Sequence, residues 1–363
     1  MFFGDEDMIE RKIQDALHAI VGEDGFFTEP EDLASYSFDA FVREFMPDAV
    51  ILPRSTQEVS RIMKVADRGG VKVVARGAGT NLSGNSVARQ GGMIMSFTRM
   101  NKIVEIDTRN RCAVVQPGVV NLDLQKEVMK KGFFYPPDPA SMAVCTLGGN
   151  VALNAGGPRA VKYGVTRDYV MGLEVVLADG EIIRTGGKTV KNVSGYDLTR
   201  LLVGSEGTLG IVTEITLRLI SLPRARKTLL AVFSSVEEVA ETVSAILSAG
   251  IVPTTLELMD KVIIDVIRDV GGASFPLNAA AVLLIEVDGD EDAVEKESRK
   301  VADFCLDRGA LHVETAKTQE EADKLWQARR SVAGALYRVS PSLMVEDAVV
   351  PVSELPRIIS RIE

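Results

Sequence analysis

At 363 residues the chain is long enough for two domains with a core each, and 46% hydrophobic with 25% charged residues describes a globular chain, not a disordered one. A net charge of −10 removes the phosphate neutralisation that non-specific nucleic-acid binding needs, so no nucleic-acid partner is expected. No apolar run has the length of a membrane helix, and the acidic opening MFFGDEDMIERKIQ lacks the basic start and apolar stretch of a secretory signal; the expectation is a cytoplasmic protein, peripheral to a membrane only through a partner.

The first predicted element is a helix followed by an irregular arm, over Met8 to Phe41, with Ile9, Ile13, Leu17 and Ile20 at helical spacing. A strand at Ala49–Leu52 leads into Pro53, Ser55 and Glu58, the start of a capping box, and Val59, Ile62, Met63 and Ala66 continue as a helical stripe that Gly69-Gly70 ends. Strands follow at Val71–Ala75, Met93–Ser96, Ile103–Ile106 and Ala113–Gln116, then a helix at Leu122–Lys131 stopped by Gly132. Asp179-Gly180 between Glu174–Leu177 and Ile182–Thr185 predicts a hairpin, and Ile211–Leu219 alternates as a half-buried strand. Pro223 marks a boundary.

Beyond it come strand Thr228–Phe233, helix Val236–Ala249, strand Thr254–Leu258, helix Lys261–Val270, strand Ala280–Val287, helix Glu291–Arg308 and strand Leu311–Thr315. With the helix at 261–270 set aside as an insertion, this is the β-α-β-β-α-β order of a ferredoxin-like layer. Two helices follow, one around Glu320–Tyr337 with Trp326, Arg329 and Arg330, one at Ile358–Glu363.

Three glycine clusters interrupt the first part. Arg76-Gly77-Ala78-Gly79-Thr80-Asn81-Leu82-Ser83-Gly84 follows a strand, but a dinucleotide fingerprint needs its third glycine where Leu82 stands, and no Lys-Ser/Thr pair makes it a P-loop. A loop free of bulky side chains remains, whose backbone N–H groups can converge on a pyrophosphate. The second cluster runs from Pro136-Pro137-Asp138-Pro139 through Thr146-Leu147-Gly148-Gly149-Asn150 to Asn154-Ala155-Gly156-Gly157; the third is Gly204-Ser205-Glu206-Gly207-Thr208-Leu209-Gly210-Ile211. Any one of them is also what a tight turn requires. Three in one domain point to a long ligand that backbone must approach closely.

The stretches RGAGTNLSG (Arg76–Gly84), PPDPAS (Pro136–Ser141), CTLGGNVALNAGG (Cys145–Gly157), KYGVTRDYVMGLEVVLADGEI (Lys162–Ile182) and KNVSGYDLTRLLVGSEGTLGIVTEITLRL (Lys191–Leu219) resemble, in order and spacing, the FAD-linked oxidases of the vanillyl-alcohol-oxidase (PCMH) type. Within them the likeness is to glycolate oxidase D-subunits and FAD-linked D-lactate dehydrogenases, and it continues more weakly to Leu325-Trp326-Gln327-Ala328-Arg329 and Glu346-Asp347. It implies an α+β fold: an N-terminal helix and arm over 1–48, a two-subdomain FAD-binding PCMH-type domain over 49–223, and a ferredoxin-like α/β substrate or cap domain over 224–363, incomplete at its C-terminus.

The same resemblance implies that Gly77, Ala78, Gly79, Thr80 and Asn81, in the loop bounded by Arg76 and Gly84, wrap the FAD pyrophosphate. Ser83, Pro137, Asp138, Thr146, Gly149, Asn150 and Asn154 line the ribityl and ring region, Glu206, Gly207 and Ile211 reach the adenine half, and Arg76, Gly84, Gly148, Gly156 and Gly157 complete the implied cofactor site. Thr, Ser and Asn suit the neutral flavin and ribityl groups as donors or acceptors. No histidine stands in the first loop for covalent attachment, so FAD is expected to bind non-covalently; Cys145 is a conceivable alternative anchor, with buried packing its ordinary role. The three cysteines, Cys112, Cys145 and Cys305, are too scattered for a disulfide framework, a zinc site or an iron–sulfur motif.

The implied reaction is oxidation of a small 2-hydroxy acid, D-lactate or glycolate, with FAD as hydride acceptor. Electrons then go to a partner protein, an iron–sulfur subunit or an electron-transfer flavoprotein. Arg329, in Trp-x-x-Arg, matches the arginine that holds the substrate carboxylate, a task that suits a guanidinium fork. No base is assigned: the family's histidine motifs, which bind a divalent metal and take the proton, are not in this sequence, and His18 and His312 have no ligand at metal spacing. The base and any metal are therefore expected from a further C-terminal stretch. An electron-relay or assembly subunit, and an oxidase of a sugar or alcohol, are the alternatives.

Overall fold

The computed structural model describes residues 9–41, 43–269, 275, 276, 278–340, 343 and 345–362; Met8, Val270 and Glu363, named above as element ends, lie outside them. The chain divides into two compact units, one of Met1–Gly156 with Val165–Leu222 and one of Gly157–Gly164 with Pro223–Glu363. The arm before residue 49 thus belongs to the first unit. Residues 157–164, expected in the first domain, belong to the second.

In chain order the first part holds α1 (Arg11–Val21), β1 (Phe26–Phe27), α2 (Pro30–Ala34), β2 (Ala49–Ile51), α3 (Thr56–Gly69), β3 (Val73–Arg76), β4 (Met93–Ser96), β5 (Ile103–Asp107) and β6 (Cys112–Val115). Then come α4 (Asn121–Met129), β7 (Phe133–Phe134), α5 (Leu147–Leu153), α6 (Ala160–Tyr163), β8 (Val170–Val176), β9 (Ile182–Gly186), α7 (Leu198–Leu202), β10 (Ile211–Arg218) and β11 (Ile220–Ser221). A sheet ordered β1-β2-β4-β3, parallel from β2 to β3, and an antiparallel sheet ordered β5-β6-β10-β8-β9 form the two subdomains.

The local physics of α3 is legible. Ser55 Oγ accepts from Glu58 N at 3.2 Å, Glu58 Oε2 accepts from Arg54 N at 2.7 Å, and Gly70 ends the helix at φ +64°. Val59 and Ile62 of its apolar face join Leu17 and Val21 of α1 and the inner residues Ala49, Ile51, Met93 and Met95 of the first sheet in one core. This core fixes β3 and so aims the loop that leaves it at Arg76.

The second unit continues with β12 (Ala225–Phe233), α8 (Val236–Ser248), β13 (Thr255–Asp260), α9 (Lys261–Asp269), β14 (Ala281–Gly289), α10 (Glu291–Asp307), β15 (His312–Thr315), α11 (Gln319–Val339) and α12 (Leu355–Ile362). Its sheet is antiparallel and ordered β13-β14-β12-β15, the ferredoxin-like arrangement. Because side chains alternate along a strand, Leu229, Ala231, Phe233, Leu283 and Ile285 face α8 and α10, while Leu230, Val232, Val282 and Leu284 face α9 and α11.

Candidate functional site

The first glycine loop is built on a buried cation. The Arg76 side chain turns under the loop, donating from Nη1 to Ser86 O at 3.2 Å, with its guanidinium 5.7 Å from the Tyr36 ring. Burial lowers its pKa, against the opposing influence of Asp39 and Tyr36. Gly79 sits at φ +69°, a conformation that favours glycine, and a Cβ there would lie 2.3 Å from Arg76 Nη2, so the guanidinium would have to shift to admit one. Asn81 closes the loop: Nδ2 donates to Ser86 Oγ at 2.6 Å, and Oδ1 accepts from Ser83 N at 3.2 Å and Asn85 N at 3.4 Å. Ala78 and Ser83 are exposed, Thr80 half-buried and Gly84 buried.

The second cluster meets the first at Gly77, where a Cβ would lie 2.3 Å from Thr146 Oγ1 and 3.7 Å from Gly149 Cα. Thr146 caps α5, accepting from Gly149 N at 3.4 Å, and Gly148 N donates to Pro117 O at 2.8 Å. Asn150 is buried, with Nδ2 lacking a hydrogen-bond partner among the described residues. Asn154 ends α5 in the left-handed conformation, and its Oδ1 accepts from Arg167 N at 2.8 Å. The third cluster closes on the other two: Gly204 N and Glu206 N each donate at 2.9 Å to Val151 O and Ala152 O, while Glu206 Oε2 accepts from Asn85 Nδ2 at 2.6 Å.

Between the three loops is a small cavity lined by Arg76, Gly77, Thr146, Gly148, Gly149, Gly207 and Ile211 among the expected residues. Ala78, Gly79, Thr80, Asn81, Ser83, Gly84, Pro137, Asp138, Asn150, Asn154, Gly156 and Glu206 are not on that lining. Pro137 is buried, its carbonyl accepting from Asn121 Nδ2 at 3.2 Å and Gln125 Nε2 at 2.9 Å, and Asp138 and Gly156 are half-buried. Gly157 lies in the second unit. Sequence reasoning missed Phe97, Pro117 and Ser205, which also line the cavity. The Pro117-Gly118 dipeptide carries a turn signal that could have found the second of these. Cys145 is 4% exposed, and burial pushes its thiol pKa up.

The second unit has a polar end to the sheet face that α9 and α11 cover. Register places Arg226 and Thr228 of β12, Glu286 and Asp288 of β14, and Thr255 and Glu257 of β13 on that one side. Glu286, 3% exposed, accepts from Trp326 Nε1 at 3.1 Å and Thr228 Oγ1 at 3.4 Å and lies 3.4 Å from Arg226 Nε; burial raises its pKa. Asp288 accepts from Lys162 Nζ at 2.6 Å and Tyr163 Oη at 2.9 Å, which is how residues 157–164 are tied into this unit. Arg329, one turn of α11 beyond Trp326, is half-buried and donates from Nε to Glu257 Oε2 at 2.6 Å. Arg330 is exposed, its guanidinium 5.9 Å from the Trp326 ring. His18 and His312 are both exposed, on α1 and on the edge strand β15, and no metal-binding group of three His, Cys, Asp or Glu occurs among the described residues.

Two family models match along the chain, a FAD binding domain over residues 47–186 and the C-terminal domain of FAD linked oxidases over residues 222–363. The glycolate oxidase subunit GlcD of Bacillus subtilis is 49% identical over 356 residues, 98% of this chain and 76% of that protein. The chain belongs to the FAD-linked oxidase family. It is an FAD-dependent oxidoreductase of that family, and FAD is its cofactor.

Among its other relatives, the D-lactate dehydrogenase of Anaerostipes hadrus is 37% identical, matching 85% of this chain and 66% of its own length. Two solved structures share the fold. An alkyldihydroxyacetonephosphate synthase has a TM-score of 0.77 at 22% identity, over 93% of this chain and 66% of that one; p-cresol methylhydroxylase has 0.74 at 20%, over 90% and 71%.

The residues present fit an FAD of this family. The walls that meet at Gly77 have no room for a Cβ, a cradle in which a flat ligand can lie against the backbone. The described residues hold no helix long and apolar enough to cross a membrane.

Proposed function

We propose that this FAD-linked oxidase converts a small 2-hydroxy acid, glycolate or D-lactate, to the 2-oxo acid and passes the electrons to a separate protein. The observation that carries the reading is the 49% identity to a glycolate oxidase subunit over 98% of the chain. FAD, when bound, supplies the hydride acceptor.

The chain's own residues supply binding and orientation. Gly77, Thr146, Gly148, Gly149, Gly207 and Ile211, which line the cavity, hold the flavin non-covalently. Arg329 binds the substrate carboxylate through Nη1, the guanidinium nitrogen not given to Glu257. Trp326, held by Glu286, fixes the turn of α11 that carries Arg329. Lacking any iron–sulfur cysteine motif, this sequence leaves onward electron transfer to an iron–sulfur subunit or an electron-transfer flavoprotein.

The test is the flavin absorbance of the FAD-loaded protein, recorded without oxygen on addition of glycolate, D-lactate or propane-1,2-diol. A response to either acid and none to the diol is the expected result. An equal response to the diol would remove the carboxylate from the reading and favour an alcohol oxidase.

A further inference from the structure

We propose that the arm Tyr36–Phe41, which precedes the matched flavin domain, is a positioning element for the pyrophosphate loop, and that Asp39 acts on that loop through the hydroxyl of Ser86. The proposal rests on FAD as the ligand of the three-loop cavity.

The loop from Gly77 to Asn85 has few side chains of its own to hold it, so its shape has to be set from below. Asp39 does this from a buried position, 8% exposed. One of its oxygens, Oδ1, accepts from Phe41 N at 2.8 Å and shapes the arm; the other, Oδ2, accepts from Ser86 Oγ at 3.2 Å. The Ser86 hydroxyl accepts in turn from Asn81 Nδ2, whose own Oδ1 takes the Ser83 and Asn85 amides. A single relay therefore runs from the arm carboxylate to two backbone groups of the loop.

Two more contacts reinforce it. The Phe41 ring sits against Gly84, where a Cβ would lie 3.2 Å from Phe41 Cδ1, and the Tyr36 ring lies beside the Arg76 guanidinium that fills the space beneath Gly79. Asp39 and Arg76 are also the charge balance of this pocket, since a buried guanidinium needs a nearby anion. Every side chain in the relay is buried, so it is a fixed support rather than a surface contact.

The experiment is titration of FAD into the flavin-free protein, read by flavin fluorescence, for wild type, Asp39→Ala, Ser86→Ala and Ser86→Thr. Thermal midpoints of the flavin-free forms and hydrogen exchange at the Ser83 and Asn85 amides are measured alongside. Asp39→Ala and Ser86→Ala should each bind FAD about tenfold more weakly, the worth of one broken buried hydrogen bond in a network, with faster exchange at both amides. Ser86→Thr keeps the hydroxyl and should restore both readouts. Wild-type affinity in Ser86→Ala, or a Ser86→Thr as weak as Ser86→Ala, overturns the relay, and Ser86→Ala decides if Asp39→Ala does not fold. A wild-type protein that takes up no FAD overturns the cofactor assignment first and this proposal with it, an outcome distinct from the other two.

Discussion

Arg329 gives Nε and Nη2 to a single oxygen of Glu257, Oε2, at 2.6 Å. A guanidinium held along that edge is fixed in direction and keeps Nη1 for a second carboxylate. Glu257 lies on β13 and Arg329 on α11, so strand and helix together set the position of the one cation proposed to meet the substrate.

Arg329→Ala should weaken binding of a non-reacting dicarboxylate such as oxalate by about 2–5 kcal/mol, the range for truncating one partner of a charge pair. The perturbation of the flavin spectrum by oxalate measures it. Because Arg329 is half-buried, a loss at the lower end of that range is expected. An unchanged titration would assign carboxylate recognition elsewhere.

Gly77→Ala tests the contact between the first two glycine loops. Its Cβ would come within 2.3 Å of Thr146 Oγ1, and Thr146 cannot retreat without giving up the cap of α5. Overpacking of this kind costs about 1–3 kcal/mol, so the purified variant should carry markedly less acid-extractable FAD than wild type. Gly149→Ala is the control, since its Cβ would meet Thr146 Oγ1 at an ordinary 3.5 Å.

Much of the fold was legible because its signals are local. Ser55 with Glu58 announces α3, Asp179-Gly180 announces the β8–β9 turn, and the alternation through Ile211–Leu219 announces β10. What stayed hidden depends on partners far away in sequence. β10 pairs with both β6 and β8, Arg329 finds Glu257, and Arg76 turns under its loop to a carbonyl at Ser86. Nothing in Arg159–Tyr163 says that it joins a unit that otherwise starts at Pro223. Its side chains are ordinary until Asp288 is placed opposite them. The site was legible as three loops, but not which of their residues would face the cavity. Backbone position alone separates Gly148, on the lining, from Asn150, off it.

That attachment of residues 157–164 gives a stability prediction. Lys162→Met leaves Asp288, whose side chain is fully buried, with Tyr163 but without its cation. Removing one partner of a buried pair is costly; with Lys162 itself 25% exposed, the loss is expected at about 1–3 kcal/mol, below the fully buried range. Urea unfolding followed by the fluorescence of Trp326, the sole tryptophan, reads it out in the unit concerned. An unchanged midpoint would mean that Tyr163 and solvent satisfy Asp288 alone.

Two strand positions away on the same face, Glu286 carries a carboxyl whose pKa burial raises above its ordinary 4.5, against the pull of Arg226, Arg159 and the Trp326 N–H. The folded chain therefore binds this proton more tightly than the unfolded chain does. By linkage the contribution to stability is most favourable below pH about 4.5, declines as pH rises through the folded pKa, and is level above it. Glu286→Gln removes the ionisation but keeps an acceptor for Trp326 Nε1 and Thr228 Oγ1. The variant should have a higher thermal midpoint than wild type near neutral pH, and the gap should shrink on acidification toward the unfolded value. Trp326 fluorescence melts across that range decide it. Parallel profiles for the two proteins would mean that Arg226 and Arg159 keep Glu286 ionised with no net cost, and the raised pKa would have to be abandoned.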